Sequence, residues 1–230
     1  DRTFYTPSLA TSEQSTLREI VDLLRDTYCH SVGVEYMHLQ DPGERHWLQE
    51  RMEPARNRPR LSQDEKRRIL KTLSEAKQFD QFLHTKYLSQ KRFSIQGAEA
   101  VVPMLDGLVR HAAEHGCREV ILGMSLRGRL SVQVINLAKP LETVFCEFED
   151  SYDPESLVGS GDVKYHKGWL SDLVTPEGYP VRVLLVTNPS HLEAVNPVVE
   201  GIARVRQEQM GNGERGRFDT RKVLPVLMHG

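Results

Sequence analysis

Three short stretches carry residues whose types and spacing can do chemistry. Ser125-Leu126-Arg127-Gly128-Arg129-Leu130 sets two arginines around a glycine. Guanidinium groups and free backbone N–H groups there can hold one anion, and a phosphate or diphosphate suits both; an ordinary solvated helix start has the same residues. Gly159-Ser160-Gly161-Asp162-Val163-Lys164-Tyr165-His166-Lys167-Gly168 combines glycines that allow close backbone approach with His166, which can exchange a proton near neutral pH. A lid over a site and a plain surface loop both read this way. Asn188-Pro189-Ser190-His191-Leu192-Glu193 has the spacing of a helix start, with Ser190 and Glu193 as a capping box, and offers a hydroxyl and backbone donors to a ligand.

The elements around these stretches decide whether they meet. Glu119–Met124, Val181–Thr187 and Val223–Met228 are short, nearly continuous apolar runs separated by helix-length segments, near 128 to 138 and 192 to 210. Strands of that kind belong to a parallel sheet covered on both faces, and ligands of such sheets sit beyond the carboxyl ends of the strands. Each chemical stretch lies at or near such an end. An amphipathic helix over 97 to 115, closed by Gly116, precedes the first strand. Residues 1 to 90 read as helical scaffold: Leu17, Ile20, Val21, Leu23 and Leu24 at helical spacing, a helix opened by Asp41-Pro42, and a capping box at Ser62 and Glu65 with Ile69, Leu70 and Leu73 behind it. Phe79, Phe82, Leu83 and Tyr87 form the face of a further helix, Val32–Met37 alternates like a short strand, and residues 53 to 60 are a basic, solvated connection. The expected class is α/β, a helical region at 1 to 90 followed by the first part of a parallel-sheet domain at 91 to 230.

Composition excludes several classes. The 230 residues are 39% hydrophobic and 27% charged, with 30 basic against 32 acidic side chains, so no bulk positive field holds nucleic acid. No apolar run reaches the roughly 18 residues of a membrane span. Cys29, Cys117 and Cys146 are scattered and odd in number, which suits a reducing compartment rather than a disulfide framework. His111 and His115, at i and i+4 on a helix with no acidic or thiol third ligand credited to them, read as a solvated face; no metal site is expected. Residue 1 is Asp, not Met, so the chain reads as a piece of something longer.

Five stretches together, SVGVEYMHLQDPGERHWLQ (31–49), KRFSIQGAEAVVPML (91–105), ILGMSLRGRL (121–130), GSGDVKYHKG (159–168) and NPSHLEAVNPVVEG (188–201), resemble the thiamine-diphosphate-dependent dehydrogenase component of the 2-oxoglutarate dehydrogenase complex, in that family's order. The resemblance implies oxidative decarboxylation of a 2-oxo acid in the tricarboxylic acid cycle, with thiamine diphosphate and Mg2+ as cofactors and the succinyl group passed to a lipoyl carrier. It implies a homodimer that works with dihydrolipoyl succinyltransferase and lipoamide dehydrogenase, in a bacterial cytoplasm or a mitochondrial matrix. Carried over by position, Arg127 contacts the cofactor, Ser190 and Leu192 line cofactor and substrate, and His166 is a catalytic residue that binds the 2-oxo acid carboxylate.

Two departures qualify the match. Leu126 stands where the family has an active-site histidine, and Ser131 where it has asparagine. Leucine can neither donate to an oxyanion nor move a proton, so the resemblance leaves open an impaired paralogue serving as scaffold or dimer partner, and also a 2-oxoadipate dehydrogenase relative. The chain stops at Gly230, one residue before the family's magnesium-binding aspartate. The expectation is that metal ligands lie beyond Gly230 and that this stretch alone binds the cofactor poorly and is inactive.

Overall fold

The computed structural model describes residues 2–6, 13–149, 162–211 and 218–229. Two compact units divide the chain, Asp1–Gln63 and Asp64–Gly230. No helix among the described residues is long and apolar enough to cross a membrane.

In the first unit, β1 (Thr3–Tyr5) pairs antiparallel with β2 (Gln14–Thr16). Thr16 then caps α1 (Leu17–Tyr28): its hydroxyl accepts from the Glu19 N–H, and the Glu19 carboxylate accepts from the Thr16 N–H at 2.7 Å. Asp41 caps α2 (Pro42–Met52) through the Gly43 N–H at 2.7 Å, with Pro42 in the first turn as its fixed φ favours. The strand expected over Val32–Met37 is not formed, because no neighbouring chain offers it a ladder. Tyr36 is instead buried, stacked on Tyr28 and donating to its hydroxyl at 3.1 Å. The connection at 53 to 60 is less solvated than its charge suggests: Glu53 is buried, and the Asn57 side chain donates to the Thr27 carbonyl at 2.8 Å.

The second unit opens with α3 (Gln63–Lys86), one continuous helix where the sequence suggested two. It continues through α4 (Val101–Glu114), β3 (Glu119–Met124) and α5 (Arg129–Ser131), which runs on as a π-helical turn (Val132–Asn136). Then come α6 (Leu141–Glu149), a 3-10 turn (Val163–Tyr165), β4 (Trp169–Val174), β5 (Pro180–Leu185), α7 (Asn196–Met210) and β6 (Val223–Met228). The sheet order is β4-β5-β3-β6, with β3 parallel to both neighbours. The three strands expected from the sequence form the parallel part of the sheet, and β4, not foreseen there, adds an edge strand that runs antiparallel to β5. The short turn at Thr175–Tyr179 imposes this, since a parallel connection needs a dozen residues or more.

Helices cover both faces of the sheet. Leu105, Val109 and Ala113 of α4 pack on Val120, Leu122, Val181 and Val183 on one side. Val195 and, from α7, Val199 and Ala203 pack on Ile121 and Val223 on the other. β3 is buried along its whole length, and full burial of each of Val120, Ile121 and Leu122 stabilises by about 1.5–3 kcal/mol. Gly123 lets α7 ride directly on the strand: a Cβ there would stand 2.7 Å from Val199 Cγ2. A third cluster joins Leu83 of α3 to Leu130, Val144, Phe148 and Tyr165.

The helix expected from residue 192 starts only at Asn196, and the Ser190–Glu193 capping box is not formed. Residues 191–195 make a turn in which Glu193 takes a left-handed φ of 65°, and Val195 precedes the helix with no side-chain cap. The packing of Val195, Val199 and Ala203 on the sheet, with Pro197 in the first turn, sets this start.

Candidate active site at the carboxyl edge of the sheet

Because β3, β5 and β6 are parallel and in register, Met124, Leu185 and Met228 finish at one edge. β4 runs the other way and begins there, with Trp169 opposite Leu185. Residues 125–129, 162–168 and 186–192 therefore all leave or enter the sheet at the same edge. The Gly159-Ser160-Gly161 part of the suggested lid lies outside the described residues.

The two arginines around Gly128 do different things, which corrects the idea that both face one anion. Arg129 is fully buried and turned inward. Its Nη1 donates to the Met124 carbonyl at 2.9 Å, its Nε to the Lys167 carbonyl at 3.1 Å and its Nη2 to the Val186 carbonyl. One guanidinium thus ties the end of β3, the approach to β4 and the exit of β5; burial pushes its pKa down to about 10. Gln133 adds a bond to the same Lys167 carbonyl at 2.9 Å and accepts from the buried Lys139 ammonium at 3.1 Å, and Lys139 is paired with Glu147 at 2.7 Å. Gly128 makes the turn possible: its φ is 72°, and a Cβ would come 2.8 Å from Ile95 Cγ1. Gly168 has the same necessity, since a Cβ would meet the Leu185 carbonyl oxygen at 2.5 Å.

Arg127, by contrast, is exposed, and its guanidinium donates to the Gln96 carbonyl. His166 is partly buried, with Nδ1 2.6 Å from the Asn188 carbonyl oxygen. A carbonyl can only accept, so Nδ1 carries the proton and Nε2 faces outward, 4.0 Å from the Asp162 carboxylate. Lys91 donates to Asp162 at 3.1 Å and holds that carboxyl below the usual carboxylate range. The Asn188 N–H donates back to the His166 carbonyl at 3.1 Å, locking the two segments together. Ser190 and Leu192 are exposed on the turn beyond Asn188. Among the described residues the structure thus joins His166 to the Asn188–Leu192 segment, while no hydrogen bond links Arg127 to His166.

Leu126 points the other way, packing against the cluster of Leu130, Val144, Phe148 and Tyr165; Ser131 is buried in α5. Sequence reasoning missed Arg129 as an internal tie, Asn188 as the partner of His166, and the Lys139–Glu147 pair. Only Lys139 carried a signal, a lone charge between Leu137 and Leu141. The exposed donor set of one guanidinium, one imidazole and one hydroxyl suits a ligand with phosphate or carboxylate groups. It fits the anionic parts of thiamine diphosphate and a 2-oxo acid, but no magnesium ligand set stands with it among the described residues.

Three parallel strands covered on both faces, with an arginine, a histidine and a serine at their carboxyl edge, define an α/β domain of the kind that binds substrate or cofactor at that edge. No family model matches the chain. It is 45% identical over 218 residues to a 2-oxoglutarate dehydrogenase E1 component of Cupriavidus necator, covering 95% of this chain and 22% of that protein. It is also 45% identical, over 100% of its length and 18% of theirs, to a multifunctional 2-oxoglutarate metabolism enzyme of Mycolicibacterium vanbaalenii and a 2-oxoglutarate dehydrogenase E1/E2 component of Corynebacterium glutamicum. The chain belongs to the family of 2-oxoglutarate dehydrogenase E1 components, and it spans about a fifth of the length of the curated relatives it matches.

Proposed function

We propose that the chain forms the substrate- and cofactor-facing strand edge of a longer 2-oxoglutarate dehydrogenase E1, which decarboxylates 2-oxoglutarate and passes the succinyl group to a lipoyl carrier. The observation that carries this reading is the locked His166–Asn188 pair at the shared edge, in a chain 45% identical to such enzymes along its length. Thiamine diphosphate, when bound, supplies the carbon nucleophile and the electron sink. The work left to this chain is binding and orientation. Arg127 balances anionic charge of the cofactor, Ser190 and Leu192 line cofactor and substrate, and His166, in its doubly protonated form with Nδ1–H on the Asn188 carbonyl, donates from Nε2–H to the 2-oxo acid carboxylate. The Asn188 carbonyl holds Nδ1–H and so orients the ring with Nε2 outward, and Arg129 keeps the three segments at constant spacing.

The names of two relatives, a multifunctional enzyme and an E1/E2 component, support a multienzyme setting; the partners that follow from this reading are a second copy of the E1, dihydrolipoyl succinyltransferase and lipoamide dehydrogenase, in a bacterial cytoplasm or a mitochondrial matrix. A second reading, a catalytically impaired paralogue serving as scaffold, is favoured by the packing of Leu126 into the apolar cluster. In the complete enzyme, His166→Ala is expected to raise KM for 2-oxoglutarate about 10- to 100-fold, the loss of one charged hydrogen bond, with little change in cofactor affinity. An unchanged KM sinks the assignment of His166.

A further inference from the structure

α4 ends on three side chains that the proposed function does not use, His111, Glu114 and His115. The sequence credited the histidines with no acidic third ligand, and the structure corrects this. Glu114 stands on the same face, and one ligand atom from each of the three residues lies within 4.8 Å of the others. His111 Nδ1 is 3.7 Å from Glu114 Oε2, too long for a hydrogen bond and close to the separation of about 3.3 Å that two ligands of a tetrahedral zinc require. The two imidazoles lie beside each other with centroids 4.2 Å apart.

The tautomer is also set. His115 Nδ1 lies 2.9 Å from the His111 carbonyl oxygen, which can only accept, so Nδ1 carries the proton and the lone pair of the neutral ring sits on Nε2. A backbone carbonyl on the second nitrogen is the usual way a metal-binding histidine is oriented. All three side chains are exposed, so an ion reaches them without opening the fold.

We propose that His111, Glu114 and His115 form a binding site for one divalent ion of the zinc, nickel, cobalt and copper group. Imidazole and carboxylate donors suit these borderline ions better than magnesium or calcium, which prefer all-oxygen shells. Three protein ligands leave a tetrahedral ion one position open to water. The bound ion bridges the last two turns of α4 and ties down the end of the helix before Gly116. The site is separate from the strand edge and does not depend on the function proposed there.

The test is titration of the metal-stripped 230-residue chain with cobalt(II), followed by visible absorption, and with zinc(II), followed by calorimetry. The expected result is one ion per chain with the d–d bands of a nitrogen and oxygen site. His111→Ala and His115→Ala are each expected to weaken binding at least about 30-fold, and Glu114→Gln roughly 3- to 10-fold. Far-UV circular dichroism of each variant, with His115→Gln as a second replacement, separates loss of the site from loss of the fold. Binding unchanged in the histidine variants, a thiolate-to-cobalt band from the exposed Cys29 or Cys146, or no saturable binding below about 1 mM overturns the proposal.

Discussion

Leu126 shows how one residue can serve the fold and the chemistry in opposite directions. The sequence resemblance implies a histidine at this position; the leucine found there packs beside Leu130 and Tyr165, and Tyr165 immediately precedes His166. The side chain therefore stabilises the base of the segment that carries the imidazole while offering the edge no proton donor. Leu126→His in the complete enzyme is expected to raise the decarboxylation rate on the order of 10²-fold, the usual worth of a lost oxyanion donor. It is also expected to lower stability by about 1–2 kcal/mol through lost apolar burial. Steady-state rates and urea unfolding of the same sample measure both, and a destabilised enzyme with no gain in rate favours the scaffold reading.

Among the elements, β3, β5 and β6 were legible because strands covered on both faces need unbroken apolar runs. β4 was not: Trp169, Ser171 and Leu173 alternate with the exposed Leu170, Asp172 and Val174, the period of a half-covered edge strand. Its hairpin is tied to α4 at the turn, where Arg110 donates through both Nε and Nη2 to Glu177 and holds that carboxyl below the usual carboxylate range. A carboxylate whose folded pKa is depressed contributes stability above its ordinary value and loses it as the pH falls through the folded value. Glu177→Gln is thus expected to cost no more than about 1 kcal/mol at pH 7, the pair being partly screened by solvent, and progressively less at an acidic pH as the carboxyl protonates. Urea midpoints of the two proteins at both pH values check this; a constant difference would assign the effect to packing.

At the scale of the whole molecule, the sequence placed the chemical stretches at strand ends but could not tell which side chains face out. Arg127 and Arg129 flank one glycine and differ only in what surrounds them after folding: one lies exposed on the Gln96 carbonyl, the other is enclosed by carbonyls from three segments. Spacing likewise could not show that Ser190 caps no helix, because the start of α7 is set by packing on the sheet. The division at Gln63 was hidden for a similar reason, since α3 reads as part of a helical amino-terminal region, yet Leu83 packs with Leu130 and Phe148 of the α/β unit.

The buried guanidinium of Arg129 also has a place in time. Its three acceptors lie 5, 38 and 57 residues away along the chain, so its bonds require β3, the approach to β4 and the exit of β5 to be assembled already. Such contacts are expected to form after the main folding barrier, so that their removal speeds unfolding rather than slowing folding. Arg129→Lys, which leaves at least one of these carbonyls without a donor, is expected to destabilise by about 2–4 kcal/mol. In stopped-flow experiments most of that should appear as unfolding faster by a factor of about 30 to 10³, with refolding changed less than about threefold. A refolding rate that falls instead would place the clamp in the folding nucleus; otherwise Arg129 is the latch that keeps an assembled site edge from coming apart.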